Sequence, residues 1–118
     1  MANPVRIVSP QRRERRRYRR YIVRGLVTIQ GNSTETTGEL RNLGWGGILI
    51  RSNVIHPEAS NLSLWCQLEG YPETLYVLGR VVGTQPNLMA IQFLKPPAGM
   101  DALLSWLDRE NFLWTDGS

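Results

Sequence analysis

The sequence holds one cysteine, one histidine and a single lysine among 118 residues, and each scarcity removes a class of protein. Cys66 has no partner for an internal disulfide and no CxxC neighbour, which excludes a disulfide scaffold and a zinc finger. His56, followed by Pro57 in a turn-like stretch, reads as a surface loop residue rather than a catalytic base. One Cys, one His and no clustered carboxylates cannot supply three or four metal ligands at ordinary spacing. Gly44-Trp45-Gly46-Gly47 lacks the following Lys and Ser/Thr of a phosphate-binding loop, and it leads into a strand rather than a helix. No run approaches the roughly 20 apolar residues of a membrane span, and no apolar h-region follows the basic N-terminus. These absences point to a soluble, unexported protein of a reducing cytoplasm, with no enzymatic constellation.

What is present is a folded domain with an uneven charge. The chain is 42% hydrophobic and 20% charged, one domain's worth of sequence, able to bury roughly two thirds of its unfolded surface. The net charge of +4 hides a division after Arg24: residues 1–24 carry nine arginines against Glu14, and residues 25–118 carry five basic against nine acidic groups. Apart from Lys95, every basic residue is arginine. A guanidinium is a planar fork suited to bidentate contact with phosphate or a guanine edge, whereas an ammonium is a point charge. The charge count alone fits a solvated tail or a non-specific nucleic-acid anchor equally well.

Residues 1–20 show little apolar periodicity and carry Pro4 and Pro10, so they are expected to form a flexible Arg-rich arm. Six β-rich runs follow: Tyr21 to Ile29, Glu35 to Leu43, Ile48 to Ser52, Leu62 to Glu69, Leu75 to Gly83 and Leu88 to Leu94. The Thr-rich second run reads as a half-exposed or edge strand. Gly25, Gly79 and Gly83 fall inside strand runs and mark candidate bends or bulges. Past Gly99 the period changes: Met100, Leu103, Leu104 and Leu107 stand at i, i+3, i+4, i+7, with Asp101 in the first turn, predicting a short C-terminal helix over about 99–114. The pattern predicts an all-β fold over residues 21–118: a six-stranded antiparallel barrel with the helix packed across an opening.

Two features carry the functional signal. Arg16-Arg17-Tyr18-Arg19-Arg20 sets Arg16 and Arg20 as RxxxR directly before the first strand, and Asn42-Leu43-Gly44-Trp45-Gly46-Gly47 sets NxGxxG between strands two and three. In this order and place they resemble the PilZ domain family of bacterial cyclic di-GMP receptors, whose pattern is RxxxR followed by [D/N]xSxxG. The resemblance covers essentially the whole chain, implies a PilZ-like barrel, and includes Met89-Ala90-Ile91-Gln92-Phe93 as the last strand. It places Arg16 and Arg20 as the principal ligand-grasping residues, Arg15 and Arg17 as helpers, and Arg12 and Arg13 as further candidates. Asn42 takes the first position of the second motif, where its oxygen would accept from guanine N1 or N2, and Gly47 takes the last, where a missing Cβ permits positive φ or close backbone approach.

The departure is Gly44, which stands where the family has serine. Loss of one neutral hydrogen bond would weaken binding by about 0.5 to 1.5 kcal/mol, or roughly two- to thirteenfold. Trp45 is a candidate to stack on guanine or to cover the barrel mouth, with packing favoured. The resemblance implies a receptor that wraps its arm around cyclic di-GMP and signals to a protein partner in motility, pilus or exopolysaccharide control, with no metal and no other cofactor. The first alternative is an adaptor that docks on a partner without nucleotide, with Trp106, Phe112 and Trp114 as an apolar patch, although Trp106 is favoured as core. Non-specific nucleic-acid binding by the arm ranks third.

Overall fold

The computed structural model describes residues 19–115. The arm residues Arg12, Arg13, Arg15, Arg16 and Arg17 therefore lie outside the described residues, and Arg19 and Arg20 are the part of the arm within them. The strands are β1 (Arg20–Ile22), β2 (Gly25–Gly31), β3 (Thr34–Gly44), β4 (Gly47–Arg51), β5 (Asn61–Leu68), β6 (Thr74–Gln85), β7 (Leu88–Phe93) and β8 (Trp114–Thr115), with one helix, α1 (Met100–Arg109), between β7 and β8. The order β2-β5-β6-β7-β4-β3, closed by pairing of β2 with β3, makes a six-stranded antiparallel barrel, and β1 and β8 lie outside it. Closure leaves the barrel strands themselves with no free edge.

Period-2 alternation carries the core. Val27, Ile29, Leu40, Leu43, Ile48, Ile50, Leu64, Val77, Val81 and Ile91 point inward and are buried, and Met100, Leu103 and Leu107 of α1 join the same cluster. Glycines allow close approach between strands: a Cβ on Gly25 would strike the Gln67 carbonyl, and one on Gly79 would strike the Ile91 side chain. The bulge in β6 falls between Val81 and Gly83, so of the three glycines Gly83 marks an irregularity while Gly25 and Gly79 mark tight packing.

Four expectations change. The run from Tyr21 to Ile29 is two strands, because β1 pairs with the C-terminal end of β3 while β2 turns in to pair with β5 and with the other half of β3. The Thr-rich β3 is not an edge: it pairs on both sides, and its polar residues, Thr36 apart, are those that face solvent outside a closed barrel. The helix ends at Arg109 rather than near 114. Asn111 adopts φ 61°, Asn111 N–H donates to the Asp108 carbonyl and Phe112 N–H to the Leu107 carbonyl, a Schellman arrangement that turns the chain into β8. His56 is buried, not on the surface: its amide donates to Met89 Sδ, and its ring lies beside Gly31, where a larger residue would meet it. Its Nε2 is buried without a hydrogen-bond partner among the described residues.

Candidate groove at the base of the arm

β1 has two faces. Its register sets Arg20 opposite Gly44, Tyr21 opposite Leu43 and Ile22 opposite Asn42. Alternation then places Arg20 on the same outer face as Asn42, one step away on the diagonal, within reach of a long side chain. Arg20 Nε and Nη2 both donate to Asn42 Oδ1, at 2.9 and 2.6 Å. The two sequence motifs thus meet in one side-chain pair. Burial pulls the Arg20 pKa below the ordinary arginine value, yet guanidinium remains the charged form at any physiological pH.

Arg20 and Asn42 form one end of a groove of about 420 Å³ on the outside of the barrel, lined also by Gly46, Gly47, Ile48, Leu49, Val82, Ala90, Ile91 and Gln92. Arg20 is the one charged residue in this lining, and its partner is a neutral amide. The groove therefore joins a cation with no carboxylate in the lining to a floor of small and aliphatic residues. That combination suits an anion with a flat apolar part. A second hollow of about 310 Å³ adjoins it, sharing Leu49 and Ala90 and reaching Glu58 and Gln85.

The other face of β1 looks toward the end of α1. Tyr21 hydroxyl donates to Asp108 Oδ1, Arg19 Nη1 contacts the same oxygen at 3.3 Å, and the Arg19 guanidinium carbon stands 3.6 Å from the centre of the Trp114 ring. Burial, then the hydrogen bond to Asp108, pushes the Tyr21 phenol above its usual range. β8 pairs with β1 on its free edge, and Ile22 N–H donates to the Leu113 carbonyl at 2.8 Å.

The structure brings Arg20, Asn42 and Gly47 together, while Gly44 is not part of the groove lining. A Cβ at Gly44 would lie 2.7 Å from the Arg19 carbonyl and 3.3 Å from Arg20 Cγ, so glycine here lets β1 settle against β3. Gly47 does have a close backbone approach, but to the Ile91 carbonyl of β7. Gly46, with nothing within 4 Å of its Cβ position, is the open glycine of the turn and was missed as a lining residue. Trp45 packs, half-buried, against the core. Of the C-terminal aromatics, Trp106 and Phe112 pack against the core and each other, and Trp114 lies under Arg19. The floor residues Leu49, Val82 and Ala90 were also missed. Their signal was apolar character at outward parity, with Val82 exposed between buried Val81 and half-buried Gly83.

Among the described residues no group of three or more His, Cys, Asp or Glu is placed to hold a metal ion, and no helix is long and apolar enough to cross a membrane. No curated protein sequence matches the chain. Among solved structures, the Bacillus subtilis inhibitor of motility (MotI/DgrA) superposes with TM-score 0.64 at 21% identity, covering 78% of this chain and 49% of that protein, so the chain spans about half its length. The PilZ domain of CeSA from a cellulose-synthesizing bacterium superposes with TM-score 0.59 at 14% identity over 78% of this chain and 96% of that domain. At these identities the likeness is one of fold. The sequence profile of the PilZ domain matches residues 14–109, most of the chain and both motifs, and the protein is therefore a member of the PilZ domain family.

Proposed function

We propose that this PilZ domain is a receptor for cyclic di-GMP, with Arg20 and Asn42 at the centre of its site and Arg16 reaching over from the arm. The observation that supports it is the Arg20–Asn42 pair at the end of a groove whose lining carries one charge, positive, above an aliphatic floor. Cyclic di-GMP supplies two phosphates and two flat bases in one compact ligand. A guanidinium freed from Asn42 can take guanine O6 and N7 or a phosphate, and the freed carboxamide oxygen can accept from the guanine N1 or N2 donors. Leu49, Val82 and Ala90 offer apolar contact to a base face. The role is that of a receptor rather than a catalyst, and its output is contact with a protein partner in motility, pilus or exopolysaccharide control. Arg12, Arg13, Arg15 and Arg17 add positive charge along the arm, which favours a dianion at low salt.

Titration calorimetry of the full chain with cyclic di-GMP, at two salt concentrations, tests the reading. Micromolar or tighter binding is expected, abolished by Arg16→Ala and by Arg20→Ala and weakened by Asn42→Ala. Absence of heat and of a thermal shift at high ligand concentration would refute it. The adaptor reading has its own support: Arg20 and Asn42 already satisfy one another without nucleotide, and Gly44 removes the motif hydroxyl. Under that reading Arg16→Ala leaves partner binding intact.

A further inference from the structure

We propose that Arg80 and Gln92 form a second guanine-reading end of the groove, so that its two ends together select a cyclic dinucleotide with guanine in both halves. The inference rests on the receptor reading and names the specificity of that same site. Cyclic di-GMP has two identical halves, each a guanine and a phosphate. The Arg20–Asn42 pair can serve one half, and the groove lining carries no second charge for the other.

Sheet register places a second cation just beyond the lining. From Arg20 on β1 the groove crosses β3, β4 and β7 and reaches β6 at Val82. Gln92, which lines it, is paired with Gly47 on one side and with Arg80 on the other. Residues directly opposite in an antiparallel pair share a face, with Cβ atoms about 5 Å apart. Arg80 also shares its outward face of β6 with Val82, two residues on. Arg80 and Gln92 are both exposed. Four strand spacings separate β6 from β1, about 19 Å measured along the sheet, so Arg20 and Arg80 stand at opposite ends of the aliphatic floor.

Each end has the same chemistry, a guanidinium beside a carboxamide. The guanidinium fork donates to guanine O6 and N7, and a carboxamide oxygen accepts from guanine N1 or N2. Adenine keeps N7 but carries an amino donor in place of O6, so a guanidinium placed for guanine meets another donor there. The present partner of Arg80 yields easily: Nε donates to Asn61 Oδ1 at 3.4 Å, in the open and near the limit of a hydrogen bond. Arg80 makes no ion pair among the described residues. Asn61 on β5 and Gln92 on β7 flank it, and turning from the first to the second brings its fork to the groove.

The test compares cyclic di-GMP with the mixed cyclic dinucleotide of guanosine and adenosine, by calorimetry of the full chain. Wild type should bind cyclic di-GMP about fivefold to a hundredfold more tightly than the mixed ligand, the range for one bidentate base contact. Arg80→Ala should weaken cyclic di-GMP more than the mixed ligand and bring the ratio of the two affinities close to one. Arg80→Lys, which keeps the charge and loses the fork, should lose the ratio as well, and Gln92→Ala should lower it in part. A wild-type ratio near one, or a ratio kept by Arg80→Ala or by Arg80→Lys while cyclic di-GMP binds, overturns the second end and leaves the receptor reading standing. Failure of wild type to bind cyclic di-GMP overturns both.

Discussion

Gly44→Ser restores the family's motif residue and, on the sequence alone, should be harmless or beneficial. The structure gives it a cost. Gly44 faces Arg20 across the β1–β3 pair, and a Cβ there would lie 2.7 Å from the Arg19 carbonyl oxygen, a backbone atom that cannot swing aside as a side chain does. Two relaxations are open. If β1 stays, the crowding costs about 1 to 3 kcal/mol, typical of overpacking. If β1 lifts, the charge-assisted hydrogen bonding of Arg20 to Asn42 is lost, about 1.5 to 3 kcal/mol. The cheaper route sets the result, so a loss of about 1 to 2 kcal/mol is expected, which lowers Tm by about 5 to 15 °C for a domain of this size. Because the collision is at Cβ, Gly44→Ala should lose as much as Gly44→Ser in thermal unfolding followed by circular dichroism. Hydrogen exchange should show faster exchange at the β1 amides in both. Only the serine supplies a hydroxyl, so cyclic di-GMP should bind Gly44→Ser more tightly than Gly44→Ala. A Tm within 1 °C of wild type for both variants would refute the steric reasoning.

Gly47→Ala should cost more, about 2 to 4 kcal/mol by urea unfolding, because its Cβ would press on the Ile91 carbonyl between β4 and β7, each of which is also paired on its other side and so cannot lift away; a loss under 1 kcal/mol would contradict this. A double-mutant cycle over Arg20→Ala and Asn42→Ala in ligand-free protein should show a coupling of about 1.5 to 3 kcal/mol, as expected of a charge-assisted, half-buried pair, and additive effects would show the pair to be idle. Burial pushes the Cys66 thiol from 9.0 up to about 12, so native protein should resist alkylation at pH 8 and react once unfolded. The same shift means that the native state keeps a proton which the unfolded state releases. Stability is then fully present below about pH 9 and falls as pH rises toward 12, by up to about 1.4 kcal/mol per pH unit for this group, with Tyr21 acting in the same direction. A urea midpoint that stays level from pH 8 to pH 11 would count against it.

The sequence by itself determined the barrel and marked Arg20, Asn42 and Gly47 as motif positions, because both are local signals. Alternation in runs such as Leu62-Ser63-Leu64-Trp65-Cys66 is set by the pleat, and the spacing Met100, Leu103, Leu107 is set by the helical turn; each survived almost to the residue at its start. Arg20, Asn42 and Gly47 were legible as motif positions, and the structure puts them in one groove. Tertiary structure decided what depends on contacts between distant segments. The break at Val23–Arg24 arises because β2 must join β5 to close the barrel, while β1 remains on the end of β3, and no residue before Gly25 announces that. The burial of His56 follows from its loop folding in against Gly31 and Met89 rather than from its neighbours in the chain. The partners of Arg19 lie 89 residues away at Asp108 and farther at Trp114: the packing of α1 brings Asp108 to it, and the Schellman turn at Asn111 returns Trp114. Gly44 shows the division most clearly: as sequence it is a missing hydroxyl, and in the fold it is the space that the Arg19 carbonyl, just before β1, occupies.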